Sequence, residues 1–314
     1  MRNMQAPISS PDESTFHAPP GFRAGYVAVV GRPNVGKSTL VNRFVGQKVS
    51  IVSEKPQTTR TRLLGILTLP DAQIIFIDTP GIHKPIHSLG EAMVKAASSS
   101  LRDADLVALI VDASVPPSDE DRLAADAVRA HAARVPALLI LNKIDLLNHE
   151  AAERAEAAYA PLCDFADVLS VSALRGDNLD ALQDTILARL PESPPFYPPD
   201  QVTDQPERAV AAELVREQVL AHTYQEVPHA VAVVVDDYKQ RSEDMTYIAA
   251  TIYVEKDSQK GIVIGAGGQM LKSIGQAARV EIEALIGTRV YLDLRVKVRK
   301  DWRKKEPRLG LTPY

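Results

Sequence analysis

Along this chain, short runs of uninterrupted apolar residues take turns with longer stretches in which apolar residues recur every three or four positions. Tyr26–Val30, Gln73–Ile77, Leu106–Val111, Ala137–Leu141 and Val168–Val171 are the runs, and they read as strands buried on both faces. Lys37–Val45, Glu91–Arg102, Asp119–Arg134, Ala151–Tyr159 and Leu179–Leu190 carry the helical period. Strand and helix in alternation predict an α/β fold, a mostly parallel, doubly wound sheet covered on both faces. Thr61–Leu67 is placed to add an antiparallel edge strand.

The pattern breaks at Pro191–Pro206, where Pro191, Pro194, Pro195, Pro198, Pro199 and Pro206 exclude a continuous helix or a central strand. Beyond it the order changes to a helix over Glu207–His222, strands near His229–Asp236 and Met245–Val254, a Gly-rich turn, a helix to about Ile286 and a strand Val290–Val298. In that last strand Val290, Leu292, Leu294, Val296 and Val298 point one way and Tyr291, Asp293, Arg295 and Lys297 the other. The order α-β-β-α-β predicts a second, smaller α+β domain with helices on one face of its sheet. Residues 1–24 lack any period and are expected to be a mobile extension. The expected division is thus 1–24 extension, 25–190 first domain, 191–206 linker and 207–314 second domain with a basic tail.

A chain of 314 residues with 45% hydrophobic residues can fill two cores. Its net charge of -4 conceals an asymmetry: residues 270–314 hold 11 Lys and Arg against 5 Asp and Glu, leaving -10 for the rest. That distribution points the C-terminal part toward a polyanion. Cys163 is the sole cysteine, which excludes an intrachain disulfide and suits small core filler. The N-terminus lacks the plan of a signal peptide, and no apolar stretch reaches the roughly 18 residues of a spanning helix, so a cytosolic protein is expected.

The candidate chemistry sits at strand ends. Tyr26–Val30 runs into Gly31-Arg-Pro-Asn34-Val35-Gly36-Lys37-Ser38-Thr39, a phosphate-binding loop between strand and helix. Gly31 and Gly36 let backbone N–H groups approach phosphate oxygens, Lys37 reaches the β- and γ-phosphates, and Ser38 ligates Mg²⁺. Asp78-Thr-Pro-Gly81 follows the next strand but one, placing a carboxylate for the Mg²⁺ water shell and the Gly81 N–H for the γ-phosphate. Asn142-Lys143-Ile-Asp145 selects guanine, because one carboxylate accepts both N1–H and the N2 amino group, and this argues against a small-molecule kinase. Lys143 would cover the base, and Ser172-Ala173-Leu174 would supply an N–H for guanine O6. Between Ser38 and Asp78 lies Pro56-Gln-Thr58-Thr59-Arg60, where Thr59, ahead of Thr58, would complete the metal shell as a switch. Gly81 is followed by Ile82, which cannot orient water, so slow intrinsic hydrolysis is expected, with the water held by backbone, a bound ion or a partner; His83 is the nearest titratable side chain.

In the second domain Ile262-Val263-Ile264-Gly265-Ala266-Gly267-Gly268 opens a helix over Gln269–Ile286. A Gly-x-x-Gly turn at a helix start allows close approach to a sugar-phosphate backbone, with Lys272, Arg295, Lys297, Arg299 and Lys300 supplying charge.

Gly-Arg-Pro-Asn-Val-Gly-Lys-Ser, Gln-Thr-Thr-Arg, Asp-Thr-Pro-Gly, Asn-Lys-Ile-Asp and the Gly-x-x-Gly segment, in this order over about Gly25 to Lys300, resemble the Era family of bacterial GTPases. Two related groups, Der and the tRNA-modification GTPase, share the first four motifs without this C-terminal arrangement. The resemblance implies a GTPase domain with GTP/GDP and Mg²⁺, and a type II KH domain that binds the 3′ end of 16S rRNA. It further implies a part in small ribosomal subunit assembly, and a cytoplasmic protein able to associate peripherally with the inner face of the membrane. It also implies a hydrophobic residue in place of the water-orienting Gln, which Ile82 matches, and Asn34 matches relatives that use K⁺. Gly267 departs from it, standing where a basic or polar residue is common. The rival reading is an RNA-binding checkpoint module in which GTP is a ligand and hydrolysis incidental.

Overall fold

The computed structural model describes residues 18–53, 55, 58–82, 88–131, 134–224 and 227–305. Residues 1–17 of the expected extension, Pro56, Gln57, His83 and the end of the basic tail lie outside these residues. The strands are β1 (Arg23–Val30), β2 (Leu63–Thr68), β3 (Ala72–Asp78), β4 (Leu106–Asp112), β5 (Ala137–Asn142), β6 (Asp167–Val171), β7 (Ala232–Ser242), β8 (Met245–Val254) and β9 (Arg289–Val298). The helices are α1 (Lys37–Val45), α2 (Ser88–Arg102), α3 (Asp119–Arg129), α4 (His149–Tyr159), α5 (Leu179–Leu187), α6 (Glu207–His222), α7 (Asp257–Ile264), α8 (Gln269–Ile286) and α9 (Trp302–Lys305).

The first six strands form one sheet in the order β2-β3-β1-β4-β5-β6, parallel except for β2, which pairs antiparallel with β3. β3, β4 and β5 are buried along their whole length, as their continuous apolar runs require. Two apolar clusters cover its two faces, one holding Leu40, Val41 and Leu182, the other Ala97, Leu101, Val128 and Tyr159. The five parallel strands deliver their C-terminal ends to one edge, where open α/β sheets bind ligands.

The second sheet is β7-β8-β9, with β8 and β9 parallel, and its inner face packs on α6 and α8. Two differences from the sequence expectation have local causes. β7 starts later and runs further, because Pro228–Ala230 form a 3₁₀ turn while pairing with β8 continues to Ser242↔Met245 at the hairpin. The turn that begins at Gly265 is preceded by a helix, α7, despite Gly261: the Gln259 side chain caps it by accepting from the N–H groups of Glu255 and Lys256 at 2.9 and 3.0 Å.

The proline-rich segment is seated on the first sheet. The Ile66 N–H donates to Val202 O, the Leu64 N–H to Asp204 Oδ1, and the Gln73 amide holds Phe196 and Tyr197 by their backbone. Strand β2, an otherwise open edge, is thereby covered. The two sheet bodies also touch directly: Met93 of α2 packs with Ala232 and Trp302, and Ile51 belongs to the apolar cluster of the second body.

Candidate functional site

At the strand-end edge the phosphate-loop motif closes around a cavity of about 510 Å³, lined among others by Asn34, Gly36, Lys37, Ser38, Thr59, Gly81, Lys143, Asp145, Ala173 and Leu174. The loop needs its glycines sterically. A Cβ on Gly31 would lie 2.2 Å from Ile110 O at φ +151, and one on Gly81 would lie 2.7 Å from Pro33 N. Arg32 ties the loop to α3, its Nε donating to both oxygens of Asp121 at 3.1 Å, while Asp121 caps that helix with Ser118. Val35 keeps its side chain in the core, and its carbonyl accepts from Asn142 Nδ2 at 2.7 Å.

Lys37 Nζ donates to the carbonyls of Gly31 and Arg32 at 3.1 and 2.9 Å. Burial pushes its ammonium down to about 8, with Asp78 pulling upward and Arg32 adding to the fall. Oxygens converge beside it: Ser38 Oγ lies 2.7 Å from Asp78 Oδ2 and 3.0 Å from Thr59 Oγ1. Two oxygens bound to Mg²⁺ at right angles with bonds of 2.0–2.1 Å stand about 2.9 Å apart, so this corner has the spacing of an octahedral edge. Asp78 Oδ1 is buried without a hydrogen-bond partner, and burial raises the carboxyl above its usual value against the bonds from Ser38 and Ser50 and the charge of Lys37. A buried, under-satisfied carboxylate beside two hydroxyls fits a hard divalent cation. Thr58, the alternative threonine, instead turns its hydroxyl to Lys55 O at 2.6 Å.

Asp145 is steered by Ser172, whose Oγ donates to its Oδ1 at 2.6 Å. Asn142 braces rather than points at the cavity's mouth: it bonds Val35 O on one side and accepts the Ala173 N–H at 2.9 Å on the other. The N–H groups of Ser172 and Arg175 go to Asp177 O and Ser172 Oγ. Lys143, at φ 68, donates to Asp112 Oδ2 at 2.7 Å. Burial would raise Asp112, but Lys143 and Ser114 outweigh it and hold the carboxyl below its usual value. Leu146 and Leu174 are 64% and 74% exposed yet both line the cavity, which suits a flat apolar surface lying between them.

Ile82 does not face the cavity. Its side chain is 3% exposed in the α2-side core, and its N–H donates to Gly31 O at 3.1 Å. Sequence reasoning missed Ser50, Ile51, Val52 and Leu146, of which Ile51, Val52 and Leu146 line the cavity and Ser50 reaches Asp78. Only the Asn-Lys-x-Asp spacing could have flagged Leu146, as the residue after Asp145.

In the second body Gly265 (φ 71), Gly267 (φ 57) and Gly268 (φ 78) form the turn into α8, and a Cβ on Gly265 would strike Met270 Cβ at 2.6 Å. Ile262, Ala266, Gly267 and Lys272 are exposed around it. Val263, expected among the RNA-contacting residues, is instead fully buried in the apolar cluster under α7, and Ile264 packs against the same cluster. Arg295 and Lys297 are exposed on the outer side of β9, opposite the inward row of Val290 and Val296, so the strand's alternation parts them from the α7–α8 face. Arg299 and Lys300 follow at its end, with Arg299 over the Tyr253 ring. Among the described residues no helix is long and apolar enough to cross a membrane.

Comparison with known proteins agrees with this layout. The family described as 50S ribosome-binding GTPase matches residues 26–143, and the KH domain family matches residues 226–303. The GTPase Era of Heliobacterium modesticaldum is 47% identical over 284 residues, 90% of this chain and 94% of its own. An Era crystal structure in complex with MgGDPNP and nucleotides 1506–1542 of 16S ribosomal RNA superposes with a TM-score of 0.86 at 41% identity, covering 92% of this chain and 98% of that one. A variant of Aquifex aeolicus Era bound to GDP·AlF4⁻ gives 0.87 at 41% identity over 92% and 99%. The chain belongs to the Era family of GTPases.

Proposed function

We propose that this chain binds GTP with Mg²⁺ over residues 25–190, hydrolyses it slowly, and uses residues 207–314 to hold the 3′ end of 16S rRNA during assembly of the small ribosomal subunit. The observation that carries the reading is the meeting of Ser38, Thr59 and Asp78 oxygens beside a cavity that Asp145 also lines. The relatives bound to MgGDPNP with 16S rRNA and to GDP·AlF4⁻ support it.

In this reading the N–H groups from Asn34 to Thr39 and the charged Lys37 hold the phosphates, and Asp145 accepts from guanine N1–H and N2. The base lies between the Lys143 stem, Leu146 and Leu174, and the backbone of Ala173–Leu174 meets O6. Ser38, Thr59 and Asp78 hold Mg²⁺, Asp78 through water, and the ion offsets charge on the phosphates. Thr59 and the Gly81 N–H read the γ-phosphate. Since Ile82 faces the core, backbone groups orient the attacking water, and Asn34 is the residue we assign to a K⁺ that assists it. The RNA lies across Ile262 and Gly265–Gly268 with Lys272, and Arg295, Lys297, Arg299 and Lys300 supply flanking phosphate contacts. The protein works in the cytoplasm, with peripheral contact to the inner membrane face.

The test is competition of GTP and ATP for the purified protein, with and without a 16S rRNA 3′-end oligonucleotide, following binding and phosphate release. Guanine selectivity with RNA-dependent affinity or turnover is expected. Equal ATP binding would overturn the guanine assignment, and unchanged RNA residence in a Thr59→Ala variant would favour GTP as a mere ligand.

A further inference from the structure

Ser50 belongs to none of the nucleotide motifs, yet it is 3% exposed and its Oγ donates to Asp78 Oδ2 at 2.7 Å. That is the same carboxylate oxygen that accepts from Ser38. The backbone at this point is clamped to α1: Asn42 Oδ1 accepts the N–H groups of Val49 and Ser50 at 3.0 and 2.9 Å, and Asn42 Nδ2 donates to Ser50 O at 2.6 Å. Three amide bonds on two residues leave the peptide little freedom of its own.

The next residues belong to the other body. Ile51 is buried in the apolar cluster with Leu214, Val215 and Ile282 of α6 and α8. The Val52 N–H donates to Glu217 Oε1 of α6 at 3.0 Å, and Lys48 Nζ lies 2.7 Å from Glu217 Oε2 and 3.3 Å from Glu281 of α8. The step from the metal carboxylate to the core of the RNA-binding body is therefore Ser50 to Ile51, one peptide bond.

We propose that Ser50 is a positioning residue that couples the Asp78 corner to the RNA-binding body, so that filling the magnesium–nucleotide site is felt at α6 and α8 through Ile51. The proposal rests on the coupled reading given above. A serine hydroxyl is one donor and two acceptors, so Ser50 keeps its bond to Asp78 as the carboxylate turns to a cation and its waters. An alanine would leave Asp78 free to move without dragging the 50–52 segment. The side chain's chemistry thus makes a linkage prediction, which mere satisfaction of a buried carboxylate does not.

The experiment uses the full chain and a 16S rRNA 3′-end oligonucleotide. Its affinity is measured with GDP–Mg²⁺ and with a non-hydrolysable GTP analogue and Mg²⁺, for wild type, Ser50→Ala, Ser50→Thr and Glu217→Gln. Mg²⁺ dependence of GDP dissociation is followed alongside. Coupled sites commonly differ by roughly 5- to 150-fold between states. The expected result is a nucleotide-dependent ratio in wild type that falls toward one in Ser50→Ala, with GDP dissociation less sensitive to Mg²⁺, and that returns in Ser50→Thr. Glu217→Gln should lower the ratio while leaving the Mg²⁺ dependence as it was. A wild-type ratio of one overturns the coupled reading itself. A wild-type ratio that persists unchanged in Ser50→Ala overturns the role of Ser50 alone.

Discussion

The guanidinium of Arg60, at the end of the loop that carries Thr59, is buried and donates through Nη1 to the carbonyl of Val231 at 2.7 Å, 171 residues away at the entrance to the second sheet. It also lies 5.8 Å from the ring centroid of Trp302, and Arg216 of α6 donates back to Thr58 O. The loop that carries Thr59 is thus pinned on both sides of that residue by the second body.

Arg60→Ala is expected to loosen this junction. It removes a charge-assisted bond, leaves Val231 O unpaired and opens space beside Trp302, together costing about 3 kcal/mol. Trp302 is the chain's one tryptophan and is fully buried, its Nε1 donating to Ala230 O at 3.0 Å. Its fluorescence therefore reports the junction alone. Urea titration followed at Trp302 should show an earlier transition in the variant, and superimposable curves would remove Arg60 from the account.

How far such features are legible in the sequence depends on their range. The sheet, α1, α6 and α8 could be read because their apolar periods are local, and α6 and α8 came out at the same bounds. The phosphate loop, Asp78 and Asp145 were legible because fixed spacing at strand ends stands in for geometry. Ser50 and the junction contact of Arg60 carry no such signature, since their partners Asp78 and Val231 are brought to them by folding. The burial of Val263 was not legible, because a Gly-rich setting hid the helix whose buried side it occupies.

Asp145→Asn should exchange base preference. An amide offers one acceptor and sets a donor against the guanine N2 amino group, so loss of the paired charge-assisted bonds is expected to weaken GDP about 100-fold. Xanthosine diphosphate, with an acceptor at that position, should gain. Ser172→Ala, which only frees the carboxylate, should weaken GDP about tenfold with no gain for xanthine. Titration of both diphosphates against both variants checks this, and an unchanged GDP Kd in Asp145→Asn would refute it.

Lys37 makes nucleotide affinity depend on pH. Its value near 8 in the nucleotide-free protein is lowered by burial, and phosphate oxygens at Nζ favour the charged form and raise it. Below about pH 7 the lysine is charged in both states and affinity is flat. Above 8 binding must take up a proton, so the GDP Kd should rise about tenfold between pH 7 and 9. The same depression means that stability of the nucleotide-free protein rises with pH between about 8 and 10.4, where the unfolded chain holds the extra proton. Calorimetry in buffers of different ionisation enthalpy should find nearly one proton taken up per GDP at pH 9, and none would rule the linkage out.

Gly267 is the place to add affinity for RNA. It is exposed, open space surrounds the position of a Cβ, and its neighbours Gly265 and Gly268 already make the turn. At φ 57 a side chain costs about 1 kcal/mol of backbone strain, tolerable in a surface turn. Gly267→Lys would place a cation beside the sugar-phosphate backbone, tightening a 3′-end oligonucleotide and steepening the dependence of log affinity on log salt by about 0.7. Gly267→Asp adopts the same backbone more easily and carries the opposite charge, so it should weaken RNA and flatten the salt dependence. GDP affinity without RNA should stay as in wild type in both variants, because the turn shares no residue with the nucleotide cavity. If the two variants shift RNA affinity in the same direction, backbone strain outweighs charge at this turn and the assignment of Gly265–Gly268 to phosphate contact fails.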